Sequence, residues 1–242
     1  MIRTTPAILT LSLVLLAGCG PAAQDHRVPG STDITTKEEQ QTLTPDAVMD
    51  DLRAGNERFA AGSLTHRDYL AQIKTTAAGQ YPKAAVLSCL DSRVPVEIVM
   101  DQGIGDLFVG RVAGNIDDDT MIGSFEFATA VAGAKLLMVL GHSDCGAVKG
   151  SIDRETVKSL NLDKLNHLLD DINPAVEAAL RPGDKRTSAD KDLVARAIRE
   201  NVRLTIDRIR EKSPDLVALE QAGKIKIVGG IYDLASGRIT WM

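Results

Sequence analysis

Aromatic residues are scarce in this chain, with one Trp, three Tyr and four Phe among 242 residues. A core built without them has to be aliphatic, and the abundance of Ala, Val, Leu and Ile suits a buried parallel sheet covered by helices. Basic charge is not in excess either. Lys and Arg number 28 against 33 Asp and Glu, for a formal net charge of -5. No basic stripe is interleaved with aromatics, so nucleic acid drops out as a default partner. Internal repeats are missing, and 242 residues suffice for one sizeable α/β domain or two small ones. Cysteine is rare as well, confined to Cys19, Cys89 and Cys145.

The apolar stretch from Ala7 to Ala17 is too short for a membrane span, which takes about 20 residues. With Arg3 before it, the stretch suits a secretory signal over residues 1–18. Leu16-Ala17-Gly18-Cys19 resembles the bacterial lipobox, in which the signal is cleaved before the cysteine and the cysteine is lipidated. A plain signal peptide with an incidental cysteine is the competing reading. The expectation is an exported protein on the periplasmic side of the envelope, held to a membrane only through acyl chains on Cys19. Residues 19–43, polar and rich in Gly, Pro, Ser and Thr, read as the lipidated cysteine and a flexible tether.

The folded domain is expected over 44–242. Thr44-Pro45 fits an N-cap followed by Pro at the first helical position. Ala47, Val48, Leu52 and Phe59 recur at helical spacing, Gly55 and Gly62 suggest interruption or termination, and a second short helix is placed between His66 and Ala78. Residues 44–78 thus form an N-terminal helical arm. Apolar runs at 84–88, 107–111, 136–141 and 224–232 predict four parallel strands, and 238–242 an antiparallel edge strand. Helical spacing over 121–133, 155–181 and 189–211 supplies the flanking layers. The fold class is α/β, with a mostly parallel central sheet.

Ligands bind open α/β sheets at the carboxyl ends of the strands. Cys89 follows the first run, while His142 and Cys145 follow the third in Gly-His-Ser-Asp-Cys-Gly. The pair could be two metal ligands, half of a disulfide, or a nucleophile beside its base. Two thiolates and one imidazole make three of the four ligands of a tetrahedral zinc, and a fourth position left to water marks a catalytic site. Against this, a lone His-x-x-Cys occurs by chance, and an oxidising compartment favours disulfides. Asp91 and Arg93, two residues apart beside Cys89, could pair with each other or form an ordinary surface salt bridge.

CLDSRVP at 89–95, GDLFVGRVAGN at 105–115, SFEFA at 124–128 and GHSDCGAV at 141–148 resemble, in order and spacing, the signature blocks of the β-class carbonic anhydrases. The likeness runs from residue 52 to residue 237. It implies one Zn²⁺ per subunit held by Cys89, His142 and Cys145, and an Asp91–Arg93 dyad. In a closed state Asp91 would be the fourth zinc ligand; in an open one Arg93 holds it away, where it orients the attacking oxygen. The implied reaction is hydration of CO₂ to bicarbonate, in a homodimer or tetramer whose arms embrace the neighbouring subunit. A hydrolase of CS₂ or COS on the same fold and a non-catalytic zinc lipoprotein are the alternatives. Two positions depart from the family. Val86 stands where members closed by bicarbonate carry Trp, which predicts no such regulatory pocket, and Val112 replaces Asn in Arg-Asn-Ala-Gly-Asn. Gly146 is expected at a close approach and at a helix start. His26, His66 and His167 are read as solvated or structural, with His66 the one that could relay protons.

Overall fold

The computed structural model describes Met1 and residues 30–242. The signal peptide, Cys19 and His26 lie outside the described residues. In chain order the elements are α1 (Lys37–Thr42), α2 (Pro45–Ala60), α3 (Tyr69–Thr76), β1 (Ala84–Ser88), α4 (Val96–Val99), β2 (Leu107–Arg111), α5 (Asp119–Glu126), β3 (Leu136–His142), α6 (Gly146–Ile152), α7 (Arg154–Lys158), α8 (Asp163–Ala179), α9 (Lys191–Lys212), α10 (Pro214–Gln221), β4 (Lys226–Tyr232) and β5 (Ile239–Trp241). The sheet order is β2-β1-β3-β4-β5, parallel except for the β4–β5 pair. The expected α/β architecture, with four parallel strands and an antiparallel edge, is the one observed.

The central strands show why the aliphatic runs read so clearly. Every residue of β1 and β3 is buried, so neither strand needs polar alternation. One sheet face, through Ala84, Val86, Leu136 and Met138, packs on α2 and α4. The other, through Ala85, Leu87, Leu137 and Val139, packs on α5, α9 and α10. Beyond the carboxyl ends, α6, α8 and the start of α9 enclose a third cluster that contains Cys89 and Cys145.

Several boundaries need correction. The last part of the tether read over 19–43 is structured: Thr36 caps α1 in a reciprocal capping box with Glu39. Gln40 donates to the carbonyls of Pro82 and Ala132 at 2.7 and 2.8 Å. Polar composition suggested a solvated linker, but these polar groups close backbone hydrogen bonds of the domain. The helical arm over 44–78 is only partly detached. Val48 and Leu52 of α2 are fully buried against the sheet, and α2 runs through Gly55 before Gly62, at φ +69°, ends it. In α3, Tyr69, Leu70 and Ile73 are exposed. The single helix read over 155–181 is two, because Asn161 adopts φ +53° between α7 and α8.

Candidate metal centre

The chain leaves β1 toward β2 on one side, and leaves β3 toward β4 on the other. The strand order therefore reverses between β1 and β3, where such sheets open a crevice at their carboxyl ends. Parallel register pairs Ser88 with Leu140, so Cys89 emerges one residue beyond β1 beside His142, the last residue of β3. A turn through Asp144, at φ +59°, brings the chain back so that Cys145 sits at the N-cap of α6. The three-residue spacing of His142 and Cys145 is that turn.

The donor atoms of Cys89, His142 and Cys145 lie within 4.8 Å of one another, and all three residues are buried. The two sulfurs are 4.0 Å apart and both cysteines are free. A disulfide would need about 2.05 Å. Tetrahedral zinc, with Zn–S near 2.3 Å, sets its sulfurs about 3.8 Å apart. His142 Nδ1 lies 2.9 Å from the Ser143 carbonyl, and a proton on Nδ1 leaves Nε2 with its lone pair facing the thiols. That Nε2 is fully buried and has no hydrogen-bond partner. A buried imidazole lone pair that receives no protein donor, beside two thiols, fits Zn²⁺. A nucleophile and its base need only one sulfur and one imidazole, whereas here a second buried cysteine converges with the pair.

Protonation points the same way. The Cys89 thiol is pulled well down, first by its hydrogen bond with Cys145 and then, against burial, by His142 and the Gly114 N–H. Cys145 is pushed up by the same shared proton and by burial. Burial alone would lower His142, but the Cys89 thiolate beside it raises it overall. The thiol pair thus keeps one proton between its two sulfurs, which a metal bound there would displace.

Asp91 stands at the rim. Arg93 grips it through both oxygens, with Nε to Oδ1 at 2.9 Å and a terminal nitrogen to Oδ2 at 2.7 Å. The hydrogen bond to this guanidinium holds the Asp91 carboxyl well below the usual carboxylate range. Its Oδ2 is still 3.8 Å from His142 Nε2, so the carboxylate faces the donor set while Arg93 occupies it. Behind it, Arg111 at the end of β2 donates to the carbonyls of Cys89, at 3.0 Å, and Asp91.

The remaining sequence-predicted positions separate cleanly. Val112 does not disturb the loop: its N–H donates to Ser88 at 3.1 Å, and Gly114 N–H still reaches the Cys89 sulfur at 3.3 Å. Val86 is fully buried in the sheet core. The close approach expected at Gly146 belongs to Gly141, where a Cβ would come within 2.7 Å of Val202 on α9; at Gly146 it would meet nothing within 4 Å. His66 and His167 are exposed, and the His66 carbonyl accepts from Ser31. Sequence reasoning missed Arg111, because its role runs through backbone carbonyls that no spacing pattern announces.

A parallel α/β sheet that opens between β1 and β3 onto a buried Cys-His-Cys donor set defines a zinc-binding α/β protein with an ion-paired carboxylate at its rim. The chain belongs to the carbonic anhydrase family, whose model matches residues 84–239. Carbonic anhydrase 2 of Mycobacterium tuberculosis is 35% identical over 195 residues, covering 80% of this chain and 91% of that protein. The carbonic anhydrase of Mycolicibacterium smegmatis is 33% identical over 196 residues, covering 81% and 92%. Among solved structures, the β-carbonic anhydrase CafA of Aspergillus fumigatus superposes with a TM-score of 0.63 at 26% identity, covering 81% of this chain and 90% of that one.

Proposed function

We propose that this protein catalyses the reversible reaction CO₂ + H₂O ⇌ HCO₃⁻ + H⁺ with one Zn²⁺ held by Cys89, His142 and Cys145. The observation that carries the reading is the buried, unpartnered His142 Nε2 converging with two free thiols. Bound there, Zn²⁺ would supply Lewis acidity that makes water available as hydroxide near neutral pH. The protein's own part falls to Asp91 and Arg93. Arg93 keeps Asp91 ionised and fixes its plane. The ionised carboxylate accepts a hydrogen bond from the attacking oxygen and aims its lone pair at CO₂. That Arg93 engages both Asp91 oxygens supports the open form of the site, in which Asp91 is not a ligand. Storage of zinc requires no such oriented acid, which favours an enzyme over a non-catalytic zinc lipoprotein.

The test is stopped-flow CO₂ hydration by the purified full chain. A zinc-dependent rate is expected, falling to the buffer rate in Cys145→Ser with loss of the metal. In Asp91→Asn it should fall about 10²-fold or more with zinc content unchanged. A wild-type rate no higher than buffer overturns the reading, and faster turnover of COS than of CO₂ would replace the substrate.

Two features of the chain's setting belong to the same proposal. Cys19 carries lipid and holds the domain at a membrane surface on the periplasmic side. The lipobox-like Leu16-Ala17-Gly18-Cys19 supports this, and among the described residues no helix is long and apolar enough to cross a membrane. Incorporation of labelled fatty acid that survives in Cys19→Ala would refute it. The functional unit is a homodimer or a tetramer. Apolar side chains left exposed on α3, Tyr69, Leu70 and Ile73, support it, and two β-carbonic anhydrases of Sordaria macrospora with this fold are described as tetrameric. A single-chain mass by light scattering would exclude both.

A further inference from the structure

We propose that Asn201 is a positioning residue of the metal centre, acting from α9 through the backbone of Gly114 on the Cys89 sulfur. The inference rests on the reading that Cys89 is a metal ligand. Two hydrogen bonds make the link. Asn201 Nδ2 donates to the Gly114 carbonyl at 2.7 Å, and the Gly114 N–H donates to Cys89 Sγ at 3.3 Å.

Gly114 suits such a lever. At φ +74° it adopts a conformation that disfavours a side chain, and a Cβ there would collide with Ile172. Asn115 follows at φ +45°, so two consecutive left-handed residues turn the chain against the thiol. A segment of this kind keeps one orientation only if its carbonyl is tied down. Asn201 ties it from a helix 87 residues further along the chain.

The choice of an amide at this place is telling. Asn201 is 1% exposed, on the helix face that buries Ala197, Ile198 and Val202. An oxygen could not sit 2.7 Å from a carbonyl oxygen, so the nitrogen must face Gly114. That leaves Asn201 Oδ1 buried without a partner, an expense that Leu, close to it in volume, would not incur. Packing alone therefore favours an apolar residue here, and the donated bond to Gly114 is the interaction that distinguishes Asn. An N–H aimed at the sulfur fixes the direction from which Cys89 presents it to the other two donors. Support of this kind behind a ligand sets metal affinity.

The full chain is compared with Asn201→Leu and with Ile206→Val, a second buried change on the same helix face that touches neither Gly114 nor the donors. Zinc affinity is read by competition with a chromophoric chelator at pH 7. The thiolate-to-metal absorption of the cobalt-substituted protein gives a second readout, and melting temperature a third. Asn201→Leu is expected to weaken zinc about 10- to 100-fold and to shift the cobalt band, while Ile206→Val alters melting alone. Wild-type affinity and an unshifted band in Asn201→Leu overturn the proposal. Should that variant not fold, Asn201→Ser, whose hydroxyl is too short to reach the Gly114 carbonyl, is held to the same two outcomes. Failure of wild-type CO₂ hydration would defeat the proposed activity and leave these binding measurements to stand or fall by themselves.

Discussion

Two regions of the molecule bury polar side chains and treat them in opposite ways. Under the N-terminal helices every such group is matched. Asn56 bonds Val99, Gly237 and Ile239 with all the capacity its position allows; Gln72 joins Asp33 to Ile104. Asp106 takes Thr35 and Gly103, and Asp101 takes Arg58, Thr65 and Arg67. At the carboxyl ends of β1 and β3 the opposite holds. Of six buried side-chain atoms without a hydrogen-bond partner among the described residues, four are here, Ser88 Oγ, Asn115 Nδ2, His142 Nε2 and Asn201 Oδ1, while Asp117 Oδ2 and Asn166 Oδ1 lie elsewhere. Unmatched buried polarity costs stability, and here it gathers where a ligand arrives. The first region fastens the chain to the domain, and the second is held ready for something that the protein alone does not supply.

Metal removal strains this comparison most. Zinc at about a thousand times its Kd should stabilise the fold by about 4 kcal/mol, or about 10 °C in melting temperature for a chain of this size. Calorimetry with and without a strong chelator measures it. The N-terminal region should be indifferent, so a chelated protein that melts unchanged would show that His142 has found a partner within the protein and that the two regions do not differ.

Asp101→Asn probes the other side. It leaves Arg67, whose side chain is 10% exposed, and Arg58 without their shared anion, at a cost of about 3 kcal/mol. Zinc-dependent turnover per folded molecule should stay at the wild-type level. The charge also sets a pH signature. Burial alone would raise the Asp101 carboxyl, but Arg58, Thr65 and Arg67 outweigh it and hold it below the ordinary value. Its stabilisation is therefore complete above about pH 3.9, the unfolded value, and is lost as pH falls through the lower folded value. Denaturant midpoints of wild type and variant should converge toward acid; a gap that widens there would refute the assignment.

The two regions also differed in how far the sequence disclosed them. Strands β1 and β3 were legible because burial on both faces writes itself as an unbroken aliphatic run, and the donor set because Cys and His are rare and end those runs. The N-terminal segment was misread at 31–43, since Gln40 looks solvated until its partners, Pro82 and Ala132 at 42 and 92 residues away, are known, and the local capping box of Thr36 with Glu39 was passed over. The break at Asn161 was hidden for a related reason: a single left-handed residue decides it, and the flanking apolar spacing runs straight across. Asn201 was read only as one more position in a helical pattern. Local period finds elements, whereas side chains that bond distant backbone leave no period.

Ser88→Ala carries the smallest expected effect and sharpens the comparison most finely. Ser88 is fully buried and ends β1, one residue before Cys89. Its carbonyl receives Val112 N–H, a bond the backbone keeps in the variant, while its hydroxyl has no partner. Deleting a matched hydroxyl would cost about 1 kcal/mol, but deleting an unmatched one removes a desolvation penalty and no bond. Stability should therefore hold within about 0.5 kcal/mol or rise, as read from urea midpoints at constant m-value. Turnover then separates two meanings of the unmatched group. An unchanged rate marks the hydroxyl as a residual cost of placing β1, whereas a rate that falls with stability intact shows that Ser88, like His142, is matched only when the site is loaded.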